Sequence, residues 1–393
     1  MKVLMINVVC GIRSTGRICT DLATALEKQG HEVKIAYGRE SVPEQFGKYA
    51  VKIGSKADVI IHGVKARLFD ACGFGSREAT KKFIEWVIKY DPDVIHLHNI
   101  HGYYINIEVL FEFLRTCGKR IIWTLHDCWA FTGHTAYCDA MNCEKWENGC
   151  NHCPCKNEYP KTIVDFSKRN WNKKKRIFCG IPNLTIISPS NWLQSLAKRS
   201  FLKEYKTIVI NNGINTKVFY HRESSFKEKN GIANKFMLLG VATTWDNMKG
   251  LDDYIKLADA LDDRFITVLV GVSQKQMRML SNKMIGIERT NDIHELAEIY
   301  SAADLYVNLS HCENYPTVNI ESLACGTPVL TYDVGGSAEI AKEYNGYTVK
   351  KGDISAVITT ICSIADNGIL PLSFDWNTHD KSETMRNYLK VYN

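Results

Sequence analysis

The sequence predicts an α/β protein with two parallel-sheet domains, on three observations. With 393 residues the chain has room for two domains of ordinary size. Residues 2–37 run strand, glycine-containing turn, helix, strand, which is how a parallel α/β sheet opens. A second opening of that kind begins at Phe236, and strands alternate with helices beyond it.

Composition fits this class. Hydrophobic residues make up 45% and charged residues 23%, ordinary for a soluble globular protein. No apolar run reaches the length of a bilayer crossing. Met1–Cys10 has the apolar look of a signal peptide, but it runs at once into Arg13-Ser-Thr-Gly-Arg17 with no small-residue cleavage site. It reads as a first buried strand, and the expected location is the cytoplasm, with peripheral contact at the inner face of the membrane. In that compartment the 14 cysteines imply thiols or metal ligands in preference to disulfides. The net charge of +6 is unevenly spread, since residues 1–205 carry 30 Lys+Arg against 20 Asp+Glu. A basic first half suits a phosphate-bearing acceptor or an anionic membrane surface; the plain alternative is lysines solvating helices.

In the first domain, Lys2–Val8 is an apolar strand, Cys10–Gly16 a turn, Arg17–Gln29 a helix closed by Gly30, and His31–Tyr37 the next strand. The turn lacks a full G-x-G-x-x-G, so no dinucleotide fingerprint is present, although its Gly16-Arg17 tip suits an anionic ligand. Residues 38–75 carry no clear period. Ala79–Lys89 is an amphipathic helix ended by Asp91-Pro92, and Val94–Leu97 is a short buried strand. Asp91-Pro-Asp93 precedes its strand, whereas ligands gather at the carboxyl ends of such sheets, so it is not read as a metal site. His96, His98 and His101 do follow at the productive end, a spacing open to a metal cluster. Ile105–Thr116 is a helix, and the strand from Arg120 delivers His126 and Asp127 at its end.

An insert at about 128–156 then brings Cys138, Cys143, Cys150 and Cys153, with Cys155 just beyond. Four thiols ending in Cys-x2-Cys match a structural zinc loop in ligand type and spacing. An iron–sulfur cluster, a redox pair and unligated thiols are the alternatives. Arg169–Arg176, with the run Lys173-Lys-Lys-Arg176 beside Trp171, reads as a helix face that is exposed or turned to a membrane. Nothing else supports a nucleic-acid partner. Leu184–Ser188 is a strand, Asn191–Lys198 a helix, and Ile208–Ile214 the crossing between domains, with Asn212-Gly213 as its turn signal.

The second domain opens with the strand Phe236–Val241. A helix at Gly250–Leu261, strands at Phe265–Val270 and Met284–Glu288, a helix at Ile293–Ala302 and a strand at Asp304–Asn308 follow. The most informative stretch comes next, Glu313-Asn-Tyr-Pro-Thr-Val-Asn-Ile-Glu321-Ser-Leu-Ala-Cys-Gly-Thr-Pro328. Pro316 suits a helix's first turn, Gly326 the left-handed position past its end, and Pro328 cannot prolong it. The reading is a loop holding Glu313, then a helix from about Pro316 to Cys325 with Glu321 one turn in. Free N–H groups of Tyr315, Thr317 and Val318 at that helix start favour an anion. A diphosphate held there lies between two carboxylates, each able to accept hydrogen bonds from hydroxyls on either side. That describes a nucleotide-sugar site. A chance pair of surface glutamates is the plain alternative, and the strand before it and Gly335-Gly336 after it argue against chance.

On these residues the chain resembles the family 4 glycosyltransferases. Their motif ends in a Glu-Ala-x-Ala-x-Gly-x-Pro-Val run, here Glu321-Ser-Leu-Ala-Cys-Gly-Thr-Pro-Val329. The insert is similar to that of a subgroup making bacterial surface polysaccharides, through Trp123–Asp127, Phe131–Gly133, the cysteine spacing and Ile187–Trp192. The resemblance implies the GT-B architecture, two facing Rossmann-like domains with a cleft between them. Residues 1–205 would be the acceptor side, 206–372 the nucleotide-sugar side, and 373–393 a segment whose helix crosses back to the first domain. It implies retaining transfer from a nucleotide diphosphate sugar to a glycan acceptor, lipid-linked, with no cofactor required for catalysis.

The resemblance also distributes roles. His126 would lie beside the reacting carbon and Glu313 on the sugar hydroxyls, as the catalytic residues. Lys249, Asn314, Tyr315, Pro316, Thr317 and Glu321 would hold the donor, with Gly16 and Arg17 from the first domain. His96 and His98 would be structural or acceptor-side residues. One departure stands out: relatives place both an arginine and a lysine soon after the strand at 236–241, and Thr243–Gly250 keeps only Lys249. A non-catalytic zinc-bearing binding subunit, or a nucleotide-sugar epimerase or phosphorylase on the same fold, are the rival readings. Lys249, Glu313, Glu321 and His126 together favour transfer.

Overall fold

The computed structural model describes residues 1–392. Seven strands form a first, wholly parallel sheet: β1 (Lys2–Asn7), β2 (Glu32–Tyr37), β3 (Ala50–Lys52), β4 (Val94–Leu97), β5 (Arg120–Thr124), β6 (Leu184–Ser188) and β7 (Lys206–Val209), in the order β3-β2-β1-β4-β5-β6-β7. β1 and β4 are buried along almost their whole length, as befits strands covered on both faces. Six more strands form the second sheet: β8 (Phe236–Val241), β9 (Phe265–Val270), β10 (Met284–Ile287), β11 (Leu305–Asn308), β12 (Val329–Tyr332) and β13 (Tyr347–Val349), ordered β10-β9-β8-β11-β12-β13 and again parallel. Both sheets therefore reverse strand order beside their first strand, the doubly wound pattern in which ligands sit at the carboxyl ends next to that reversal.

The two sheets belong to separate compact units, Met1–Ile210 with the segment from Met385 onward, and Asn211–Thr384. The first unit runs past residue 205 because β7 adds to its sheet, paired to β6 from Thr185↔Lys206 to Ser188↔Val209. β7 is a short, half-buried edge strand, so its apolar signal is weak. The closing helix Lys381–Tyr392 returns to the first unit, where Met385, Tyr388 and Tyr392 pack with Val3, Met5, Leu22 and Leu26. The stretch before it stays with the second unit. His379 Nε2 shares a 2.6 Å hydrogen bond with the Tyr344 hydroxyl, and the Phe374 ring stacks on His379 at 5.5 Å.

Several elements depart from the sequence reading. The first helix spans Arg13–Lys28, so Gly16 and Arg17 lie inside its first turns and not at a turn tip. Gly16 is buried because the helix start closes down on β1's exit; a side chain there would meet Val9 Cγ2 at 3.0 Å. The unread region 38–75 holds β3 and the helix Lys56–Phe69, opened by a Ser55–Asp58 capping box. The sequence also gave no warning of β13 and the helix Ile354–Asn367. The helix expected at Arg169–Arg176 spans Ser167–Phe178, but its basic run is not one exposed face. Lys174 is buried, donating to the carbonyls of Trp129 (2.7 Å) and Thr132 (3.1 Å), and Lys173 pairs with Glu108 at 3.1 Å.

Candidate active site

In the second unit two loops leave adjacent strands at the reversal of the sheet, one after β8 and one after β11. They are tied together. The His311 N–H donates to the Met248 carbonyl at 2.8 Å. Gly250 has φ 73°, and a side chain there would meet the Leu309 carbonyl oxygen at 2.2 Å, so only glycine lets the loops close. This brings the Lys249 ammonium onto the Glu313 carboxylate. Burial pulls the Lys249 pKa down, but the Glu313 charge and hydrogen bond, with Asp246 and Cys312 behind them, outweigh it and raise it.

Beneath the Glu313 loop, Asp253 accepts from His311 Nε2 and from the Tyr332 hydroxyl, both at 2.9 Å. Burial alone would raise the Asp253 pKa; hydrogen bonds from Tyr332, Lys256 and His311 reverse this and lower it. The loop is thereby held from below by a charged, hydrogen-bonded post.

The helix after it spans Thr317–Ala324, with Pro316 at its N-cap position and no side-chain cap. The next helix, Gly335–Glu343 after β12, also starts without a side-chain cap. Two helix starts without a side-chain cap thus follow the carboxyl ends of the neighbouring strands β11 and β12. A buried polar chain fixes them: Asn308 Nδ2 donates to Asn319 Oδ1 (2.8 Å), Asn319 Nδ2 to Ser337 Oγ (2.9 Å), and Ser337 Oγ shares a 2.7 Å bond with Thr331 Oγ1. Sequence reasoning passed over Asn308, Asn319, Thr331 and Ser337. The available signal was polar residues at the buried ends of apolar strands and on the inner face of a short helix.

Glu321 lies in the same helix, accepting from the Tyr300 hydroxyl at 3.1 Å. Tyr315 is buried, and its carbonyl accepts from Asn212 Nδ2 at 3.0 Å. Lys249, Glu313, Asn314, Tyr315, Pro316, Thr317 and Glu321 therefore share one end of the second sheet.

In the first unit, His98 after β4 and His126 after β5 meet through a 3.0 Å bond between Nδ1 and Nε2. Both line a small cavity with His101, Asp127, Trp129 and Asn99. Burial brings the His126 pKa down to about 4, despite the Asp127 charge, and holds His98 well below its usual value. The pair is neutral at pH 7, so it can exchange hydrogen bonds but carries no charge. His101 Nε2 bonds Asp127 Oδ2 at 2.9 Å and its Nδ1 the Tyr159 hydroxyl at 3.1 Å. His96 faces elsewhere, bonded to the hydroxyls of Tyr392 (2.6 Å) and Thr124 (2.8 Å). Arg17 is exposed on the first helix.

The cysteine-rich loop gathers Cys138, Cys143, Cys150, Cys153 and Cys155 around one small cavity. All are free thiols. The Gly133 N–H donates to Cys150 Sγ at 3.2 Å, and a hydrogen bond joins Cys153 to Cys155. Among the described residues no three His, Cys, Asp or Glu side chains are grouped as a metal shell.

Comparison with known proteins completes the picture. Residues 15–218 match the profile described as Glycosyltransferase Family 4, and residues 222–380 that described as Glycosyl transferases group 1. The putative colanic acid biosynthesis glycosyl transferase WcaC of Escherichia coli K12 is 25% identical over 372 residues, covering 91% of this chain and 89% of its own. The N,N'-diacetylbacillosaminyl-diphospho-undecaprenol alpha-1,3-N-acetylgalactosaminyltransferase of Campylobacter jejuni is 28% identical over 209 residues, 49% of this chain and 55% of its own. Among solved structures, sucrose-phosphate synthase of Thermosynechococcus elongatus superposes with a TM-score of 0.67 at 18% identity, over 100% of this chain and 95% of its own. Anabaena HepE with UDP-glucose superposes with a TM-score of 0.62 at 15% identity, over 100% and 96%. Two doubly wound units, with a match to a family profile over each, establish that the chain belongs to the family 4 glycosyltransferases, on the GT-B fold.

Proposed function

We propose that this glycosyltransferase moves a sugar from a nucleotide diphosphate donor to a lipid-linked glycan in surface polysaccharide synthesis, with retention at the anomeric carbon. The observation that carries the donor half is the Lys249–Glu313 pair beside the uncapped Thr317–Ala324 helix, at the reversal of the second sheet. As the diphosphate departs it gains negative charge and the anomeric carbon gains positive character. Lys249 and the N–H groups of Tyr315, Thr317 and Val318, set by the stretch Asn314–Thr317, hold the first; Glu313, released from Lys249 by the donor, takes the sugar hydroxyls. Glu321 takes the ribose hydroxyls. His126, kept neutral by its burial, is the first unit's catalytic residue in this reading. No cofactor enters this chemistry.

The acceptor half is supported by the relatives. One is named for colanic acid synthesis, and another for an undecaprenol diphosphate-linked substrate. Thermal denaturation against a panel of nucleotide sugars tests the donor reading, because a ligand of the folded state alone raises its stability, by roughly 2.7 kcal/mol at a hundred times Kd. At least one nucleotide sugar and its free nucleoside diphosphate should raise the midpoint. No shift from any member would refute the reading.

We also propose that Cys138, Cys143, Cys150 and Cys153 hold a structural zinc. Their number, chemistry and shared cavity support it, with Cys155 as a fifth thiol competing for the shell; zinc would have to draw the thiols closer, since no three of them stand together as a metal shell here.

A further inference from the structure

The helix Lys56–Phe69 presents an apolar face to solvent. Its buried side is His62 and Ala66. His62 Nε2 accepts from the N–H groups of Gly73 and Gly75, both at 3.1 Å. On the opposite side stand Ile60 (57% exposed), Ile61 (56%), Val64 (51%) and Leu68 (41%), at the spacing that makes one helical stripe. Single exposed apolar residues need no explanation, but a contiguous stripe does. Neighbouring chain extends it: the Ile163 N–H donates to the Arg67 carbonyl at 3.0 Å, and Ile163 is itself 56% exposed.

Charge borders this stripe on both sides. At 100° per residue, Lys56 and Arg67 fall along one edge and Lys65 along the other, all exposed. Arg169 donates to the Phe69 carbonyl at 3.1 Å, at the end of the stripe. The helix's one carboxylate, Asp58, is turned back to accept from the N–H and hydroxyl of Ser55.

We propose that this face docks on an anionic bilayer surface, with the helix lying in the plane of the interface. A central apolar stripe with basic flanks is the pattern that sinks side chains among acyl chains while ammonium and guanidinium groups reach the phosphates. A protein partner for such a surface would have to bring an apolar groove rimmed by acid; a bilayer supplies both features at once. The proposal deepens the lipid-linked acceptor reading, for it puts the enzyme where such an acceptor lives. Docking is nonetheless measured without turnover.

The experiment is flotation of the full chain with phosphatidylglycerol-rich vesicles and with neutral phosphatidylcholine vesicles. The parent protein should float with the anionic vesicles, and added salt should weaken the binding. Ile61→Asp with Leu68→Asp should lower the partition coefficient at least about tenfold. Lys56→Glu and Lys65→Glu should each lower it about fivefold. Stabilisation by a nucleoside diphosphate should survive in all these variants, which separates loss of docking from failure of the donor site. Three results would overturn the proposal: no binding of the parent to anionic vesicles, undiminished binding of the double aspartate variant, or a parent dimer that this variant disperses without change in vesicle binding.

Discussion

Glu313 and Glu321 sit in one short stretch, yet their surroundings differ. Glu313 is ion-paired to a lysine in a loop, and Glu321 accepts from the Tyr300 hydroxyl in a helix. Substitution should separate them. Glu313→Ala should lower kcat by roughly two to four powers of ten, because it removes support for charge that develops only in the transition state. Glu321→Ala should mainly raise the Kd of free nucleotide. Small and equal effects on both parameters would refute the division of labour. The histidines make a second residue-level prediction. Burial lowers the His96 pKa to about 3, with the nearby His126 adding to it, and brings His126 to about 4. Both lie below the unfolded value of about 6.5, so below that pH the unfolded chain binds protons that the folded chain does not. Stability should therefore be full above about pH 6.5 and fall with acidification, by about 1.4 kcal/mol per pH unit for each such histidine. Urea midpoints from pH 7 to 5 should show a shallower decline for His96→Gln; an unchanged slope would contradict the account.

At the scale of elements, legibility followed the match between burial and period. The strand Val94–Leu97 and the helix at Thr317–Ala324 were readable because most of their buried positions are apolar and the helix ends carry Pro316 and Gly326. The Lys56–Phe69 helix was unreadable for the converse reason: its strongest apolar stripe faces solvent while His62 is buried, so apolar spacing points to the wrong face. The basic run in Ser167–Phe178 misled because charge alone does not reveal that Lys174 turns inward, under the Trp129 and Thr132 carbonyls. The cysteine loop makes its own prediction. Elemental analysis of protein purified without added metal should find about one zinc per chain, and Cys150→Ser with Cys153→Ser should remove it and lower the unfolding midpoint. A brief chelator treatment should leave transfer intact, since a closed four-thiolate shell leaves no position for substrate. Near-zero zinc would return these residues to free thiols.

For the whole molecule, the class of fold was readable because each sheet opens with the same strand, turn and helix, and parallel strands buried on both faces are nearly pure apolar runs. Where one unit ends was harder to read. β7 is a half-buried edge strand, and the chain returns to the first sheet only at Met385, through aromatic contacts of Tyr388 and Tyr392 that no local pattern announces. The sequence singled out Lys249, Glu313 and Glu321, but not the residues that hold them in place. Gly250, Asp253, Asn308 and Asn319 act through neighbours distant in sequence, and spacing cannot expose that. The measurement that tests the central claim most directly is sugar transfer to a lipid-linked glycan acceptor, with the donor that stabilises the protein, by the parent and by Lys249→Met. The account predicts transfer by the parent and a loss of two or more powers of ten in the variant, in roughly the range expected for losing charge stabilisation of a leaving group. Equal transfer by the two proteins would contradict it.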